Sequence, residues 1–207
     1  LYRLVGSEMC IRDRQKVKNL GHRLGASGTK LENTLEGLLG SFDLVSDRRF
    51  RYWEFDIRES SDGVIFVFHD DSIMYRGELV HTKNMKFDDI CRAGLSLGIS
   101  IPKFGEIVEE LNKRDERVMI EIKYVHSDDC RNEIFDAVKC KKKWMLMCTP
   151  SRFIDSFPSE CRDYWRKRAH ESDIKLVRVG RHRIDLFRAS RSKTMWIFAQ
   201  MKWFFGF

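Results

Sequence analysis

Tyr52-Trp53-Glu54-Phe55-Asp56-Ile57, followed after a short polar interval by Val64-Ile65-Phe66-Val67-Phe68-His69-Asp70, is the stretch on which the reading of this chain turns. Aromatic and β-branched residues surround Glu54 and Asp56, which is strand composition, and a spacing of two places both carboxylates on one face. Ser60-Ser61-Asp62-Gly63 is a turn signal between two apolar runs and predicts a β-hairpin. A parallel crossover would need about a dozen residues or more and does not fit the interval. With Asp62-Gly63 at the tip, His69 faces Asp56; with Ser61-Asp62 at the tip, it faces Glu54. Two carboxylates and an imidazole on one face are costly to bury in an apolar core. This face is read as a site.

Upstream, residues 17–20 form a short strand candidate leading to Gly21-His22-Arg23, and the turn Gly25-Ala26-Ser27-Gly28 follows. Leu31-Glu32-Asn33-Thr34 opens a helix whose apolar face carries Leu35, Leu38, Leu39 and Phe42. Strand, loop, helix and strand begin an α/β alternation. Downstream, residues 74–86 read as a polar connection and residues 86–94 as a short helix. A further helix starts at Ile101-Pro102, with Pro102 in its first turn and Phe104, Ile107, Val108 and Leu111 on one face. Residues 118–123 are a strand whose alternation puts Glu121 and Lys123 on the same side. Helices are expected over 132–141, 159–171 and 184–189, and strands over 144–148, 174–179 and 194–199.

Composition bounds the class. The 207 residues are 43% hydrophobic and 33% charged, enough apolar material for one globular core. No apolar run reaches the roughly 20 residues of a membrane helix, and the N-terminus lacks the pattern of a signal peptide. Six cysteines without a CxxC pair give no zinc pattern and read as free thiols of a reducing compartment. The net charge of +7 is uneven: residues 15–138 carry 18 basic and 23 acidic side chains, residues 139–207 carry 17 and 6. A basic half of this kind meets either solvent or an anionic surface. Its aromatics cluster at the end of the chain and do not interleave with the cations as a nucleic-acid stacking platform would. Residues 1–14, LYRLVGSEMCIRDR, resemble the translation of a sequencing-library adapter and are read as a non-native tail. Residues 15–207 form the single domain, with no linker or repeat to divide them.

Gly21-His22-Arg23, Glu32-Asn33-Thr34, Glu54-x-Asp56, Asp62-Gly63, His69-Asp70, Ile101-Pro102 and Glu121-x-Lys123, in that order, resemble the glycerophosphodiester phosphodiesterase family over residues 17–124. The family belongs to the phospholipase-C-like phosphodiesterases. The resemblance implies a TIM-type (β/α) barrel with a hairpin extension after the second strand. Two departures flank the first motif: Leu24 precedes Gly25 where the family has glycine directly after His-Arg, and Leu31 stands where it has proline before Glu-Asn-Thr. Roughly six of the eight strands a barrel needs are legible. The chain is therefore expected to be truncated or incomplete at its C-terminus, with residues 195–207 covering an exposed seam.

The resemblance implies hydrolysis of glycerophosphodiesters, small-molecule deacylated phospholipid head groups, to glycerol 3-phosphate and an alcohol. Glu54, Asp56 and Glu121 are then the metal ligands. As hard oxygen donors they suit Ca²⁺ or Mg²⁺, and three crowded carboxylates raise one another's pKa until a cation neutralises them. His22 and His69 are the catalytic acid–base pair, since imidazole exchanges protons near neutrality. Arg23 and Lys123 bind the substrate phosphate. Glu32 supports the site by orienting the loop or binding a substrate hydroxyl, and Asn33 is structural. The alternatives are a lysophospholipase D or sphingomyelinase-D-like lipid phosphodiesterase in contact with an anionic membrane, or a non-catalytic remnant of the family. His81, His126, His170 and His182 are read as surface residues. A cytoplasmic location is expected, because the first strand begins only a few residues into the chain.

Overall fold

A computed structural model describes residues 19–180 and 182–205. The tail read as non-native and residues 17–18 of the first strand candidate lie outside the described residues. Asn19 and Leu20 are coil and turn, not strand.

The strands are β1 (Trp53–Glu59), β2 (Ile65–Val67), β3 (Ser72–Tyr75), β4 (Glu78–His81), β5 (Val118–Tyr124), β6 (Trp144–Cys148) and β7 (Leu176–Arg178). The helices are α1 (Leu35–Leu39), α2 (Phe87–Ser96), α3 (Phe104–Asn112), α4 (Asp128–Val138), α5 (Pro150–Ser156), α6 (Ser159–Glu171), α7 (Leu186–Ala189) and α8 (Lys193–Phe204). The main sheet runs β2-β1-β5-β6-β7. β1, β5, β6 and β7 are parallel and in chain order, with β2 antiparallel on the edge. Helices α4 and α6 lie in the crossovers, so the α/β class and the parallel strand progression of a (β/α) barrel are both present. Among the described residues the sheet is open between β2 and β7.

β1 is buried along its full length, as a strand covered on both faces must be. Trp53, Phe55 and Ile57 enter the main core with Ile120, Ile122, Leu146, Phe104, Phe135 and Trp165. Full burial of each such side chain stabilises the fold by about 1.5–3 kcal/mol. Glu54, Asp56 and Arg58 occupy the opposite face, where Met119, Met147 and Val177 form a small apolar floor. A second core of Phe66, Ile73, Phe87, Ile90 and Ala93 lies under the extension made by β3, β4 and α2.

The hairpin of β1 and β2 forms, in neither expected register. Ile57 pairs with Val67 and Glu59 with Ile65, so the tip is the three-residue loop 61–63. Gly63 takes φ +76°, the left-handed position such a loop requires. The ladder stops at Ile57–Val67, and Phe68 N then donates to Asp56 O at 3.0 Å. His69 therefore reaches the site by leaving the ladder, not by facing Glu54 or Asp56 across it.

Other differences have local causes. Residues 74–86 are not a featureless connection: β3 and β4 pair through Arg76-Gly77, both with positive φ. Pro102 precedes α3 instead of opening it, and its carbonyl accepts from Val67 N at 2.9 Å. The helix expected over 132–141 starts earlier because Ser127 caps it, its side chain accepting from Cys130 N. α5, capped by Thr149 with Pro150 in its first turn, had no counterpart in the sequence reading. The strand expected over 194–199 is instead part of α8, capped by Ser192. Aromatic and β-branched residues suggested a strand there, but Trp196 packs on the core and Ala199 is buried, which is helical spacing. Leu39, expected on the apolar face of α1, is exposed. The five described cysteines are free; Cys130 and Cys148 are buried and Cys140 is exposed.

Candidate active site

The segment after Asn19 runs along the edge of β1. Glu54 N donates to Gly21 O at 2.9 Å, and Leu24 N to Glu54 O at 2.8 Å. A Cβ at position 21 would lie 2.1 Å from the Tyr52 carbonyl oxygen, so only glycine permits this approach. The chain then turns through left-handed conformations at Arg23 and Leu24. This turn aims the Arg23 amide at Glu54 Oε2, 3.0 Å away, and brings His22 Nε2 to 3.6 Å from the same oxygen. His22 Nδ1 pairs with the Ser27 hydroxyl at 2.8 Å.

Glu54 and Asp56 come from β1, and Glu121 from β5, directly beside Asp56 in the parallel ladder. One carboxylate oxygen from each lies within 4.8 Å of the others, and all three residues are buried. Burial holds the Glu54 carboxyl well above the ordinary range, and the charges of Asp56 and Glu121 push it the same way. Burial also works against the charge of Asp56, but Lys123, His69 and the Asn33 amide outweigh it, so Asp56 lies below its ordinary pKa. Lys123 Nζ sits 3.1 Å from Asp56 Oδ1 and 2.7 Å from Glu121 Oε1. Desolvation opposes its charge, yet these two carboxylates raise its pKa. A set of close, buried, hard oxygen donors, one of them driven toward protonation by its neighbours, fits a divalent cation. The buried triad can hold such an ion.

Arg23 Nη1 is held by Glu32 Oε1 at 2.7 Å, while Glu32 Oε2 accepts from Gly28 N at 2.9 Å. Of the roles open to Glu32, the one this geometry carries is loop orientation. The Arg23 Nε is buried without a hydrogen-bond partner, 3.9 Å from Asp56 Oδ2. Asn33, in a left-handed conformation, donates to Asp56 Oδ2 at 2.8 Å and accepts from Asp56 N at 3.3 Å, clamping that carboxylate. His69 Nδ1 lies 2.7 Å from Asp70 Oδ1, and its charge is felt by both Asp56 and His22. The His22 pKa falls to about 4, because burial and the nearby cationic Arg23 both oppose its protonation.

His22, Arg23, Glu54, Asp56, His69, Glu121 and Lys123 thus gather at one place. His81, His126, His170 and His182 are exposed, and His81 borders a cavity that Lys123 also lines. Three polar residues beside the site escaped the sequence reading: Arg58, Asp71 and Arg152. Arg58 continues the every-second-residue alternation from Glu54 and Asp56, a signal available in the sequence. Arg152 could not be found that way, because the helix carrying it was not anticipated.

Comparison with solved structures finds a glycerophosphodiester phosphodiesterase from Agrobacterium tumefaciens at 24% identity and TM-score 0.48, covering 69% of this chain and 59% of that one. One from Thermotoga maritima is 20% identical at TM-score 0.45, covering 78% and 73%. An Oleispira antarctica phosphodiesterase, solved with its product sn-glycerol-3-phosphate, is 18% identical at TM-score 0.42, covering 74% and 71%. The chain spans about 59% of the length of the first of these. No curated protein sequence matches it. The model of the glycerophosphoryl diester phosphodiesterase family matches residues 22–180, which take in every residue of the site just described, and the chain belongs to that family.

Proposed function

We propose that this protein hydrolyses glycerophosphodiesters to glycerol 3-phosphate and an alcohol, with a divalent cation held by Glu54, Asp56 and Glu121. The observation that carries the reading is the buried triad with an imidazole 3.6 Å from Glu54 and an ammonium 3.1 Å from Asp56. Bound there, Ca²⁺ or Mg²⁺ supplies Lewis-acid stabilisation of the charge on the phosphate oxygens. Arg23, anchored by Glu32, offers its remaining guanidinium edge to a non-bridging oxygen, and Lys123 adds a second positive charge. His22, neutral near pH 7 because its pKa is lowered to about 4, takes the proton of the attacking hydroxyl. That hydroxyl belongs to water or to the glycerol moiety of the substrate. In the second case the cyclic phosphate formed as the alcohol leaves is then opened by water to give glycerol 3-phosphate. His69, oriented by Asp70, returns a proton to the departing alkoxide. Choline or ethanolamine release from the corresponding glycerophosphodiesters tests the reading. A chelator should abolish it, and Glu54→Gln and His69→Ala should each cripple it; activity that survives all three sinks the proposal.

A second reading, action on lysophospholipids at an anionic bilayer, draws on α8. Ile197, Phe198, Met201 and Phe204 are exposed on this helix together with Lys193, and the half of the chain around it is strongly basic. No described helix is long and apolar enough to cross a membrane, so the contact would be peripheral. Sedimentation with anionic vesicles, weakened by Phe204→Glu, separates this reading from a head-group hydrolase that stays in the supernatant.

A further inference from the structure

On the same face of β1 as Glu54 and Asp56, just past an irregularity between Ile57 and Arg58, the Arg58 side chain is 4% exposed. Its Nη2 donates to the His69 carbonyl at 2.6 Å and lies 2.6 Å from Asp71 Oδ1. Arg152, from α5, reaches the same carboxylate: Nη2 donates to Asp71 Oδ2 at 3.0 Å, and Nη1 lies 3.0 Å from Oδ1. Arg152 Nη1 also donates to the Lys123 carbonyl at 2.9 Å. One carboxylate thus serves two guanidiniums, and the pair keeps a net positive charge. Together with Lys123 these groups line a cavity of about 460 Å³, completed by His81, Lys83, Tyr124 and Asp155. Lys123 belongs both to this lining and to the carboxylate cluster, so the cavity opens directly beside the place where the phosphate is read to sit.

Arg58, Lys83, Lys123 and Arg152 line this space with two carboxylates, Asp71 and Asp155. Lys123 is also paired with Asp56 and Glu121, so the excess positive charge rests on Arg58, Arg152 and Lys83. Tyr124 is the one Phe, Tyr or Trp in that lining, and it is already engaged. The Lys83 ammonium stands 5.8 Å from its centroid, and the His126 ring stacks on it at 5.6 Å. The His81 imidazole also borders the space, its Nδ1 2.9 Å from the Ser72 hydroxyl. A quaternary ammonium would meet like charge there, with Tyr124 already shared between Lys83 and His126.

We infer that this cavity receives the alcohol portion of the diester and selects alcohols that carry a further anionic group, a carboxylate or a second phosphate, over cationic ones such as choline. The inference rests on the phosphodiesterase reading for the placement of the phosphate, and it concerns binding, so it can be tested apart from turnover.

The test is calorimetric titration of the full-length His69→Ala chain in Mg²⁺ with glycerophosphoserine and with glycerophosphocholine. The serine ester should bind about 10-fold more tightly, the ratio one desolvated charge contact supports, and raised salt should shrink the difference. Lys83→Ala, at an exposed position, and Arg152→Gln should each bring the ratio toward one. Equal binding of the two esters, preference for choline, binding of neither, or a ratio unmoved by both substitutions overturns the inference. Discrimination in binding by a chain whose parent hydrolyses neither ester would overturn the catalytic reading and leave this one standing; hydrolysis by the parent without discrimination in binding does the reverse.

Discussion

Lys123→Met is the most informative single perturbation of the site. The ammonium is buried 3.1 Å from Asp56 and 2.7 Å from Glu121, and Glu54 crowds the same space. Methionine nearly preserves the volume, so the change removes charge without opening a large cavity. Breaking a buried ion pair by deleting one partner costs about 3–5 kcal/mol, because the other charge is left uncompensated. At about 2–4 °C per kcal/mol for a chain of this size, the melting temperature in chelator should fall by roughly 6–20 °C. A divalent cation bound by the three carboxylates replaces the missing charge, and at about 100 times its Kd it returns about 2.7 kcal/mol. The cation-induced rise in Tm should therefore be larger for the variant than for the parent chain, which already has an ammonium in place. Thermal unfolding followed by circular dichroism at pH 7, in EDTA and in Ca²⁺ or Mg²⁺, reads both quantities. A variant that melts within about 2 °C of the parent in EDTA, well inside the expected loss, would refute the reasoning. So would one that gains no more from the cation than the parent does.

Other outcomes follow from the same geometry. The folded-state pKa of Glu54 is raised, so the stability tied to it is complete below the ordinary carboxylate pKa and is lost as pH rises through the folded value. Glu54→Gln should therefore flatten the fall of Tm with rising pH in chelator and remove the response to cations; an unchanged slope would exclude the repulsion. His22 has its pKa depressed to about 4, so its stability contribution is present above its ordinary 6.5 and lost as pH falls toward 4. Its imidazole resonances in the metal-free chain should titrate near pH 4, and a midpoint near 6.5 would contradict the packing that buries it. Gly21→Ala forces a methyl to within 2.1 Å of the Tyr52 carbonyl oxygen, so the His22 loop must shift. It should cost about 1–3 kcal/mol in denaturant unfolding and lower kcat at temperatures where the chain remains folded; retention of full activity would show that the loop approach is not required.

The short-range periodicities were legible in the chain itself. Glu54, Asp56, Glu121 and Lys123 could be assigned to faces of strands because side-chain direction in a strand alternates strictly, whatever the strand packs against. Ser159–Glu171 was legible for the same reason, through helical spacing. His22 and Arg23 were legible through the order of motifs around them, but not through any periodicity. What lay beyond reach depends on contacts between distant residues. The hairpin register shifted by one because Gly63 took a left-handed conformation and closed a three-residue loop, so His69 arrives by departing from the ladder. Asn33 became a clamp on Asp56 only when the loop after His22 folded onto β1. Residues 194–199, inside the helix Lys193–Phe204, were misread as a strand because apolar residues without clear alternation suit either geometry, and the packing of Trp196 and Ala199 decides. The cavity that joins Arg58 to Asp71 and Arg152 exists only because α5 packs on β5 and lays a guanidinium from position 152 across a carboxylate from position 71. Spacing along a chain determines which side chains share a face; only the docking of one element on another determines which faces meet, because that free energy resides in buried area and paired charge between segments far apart in sequence.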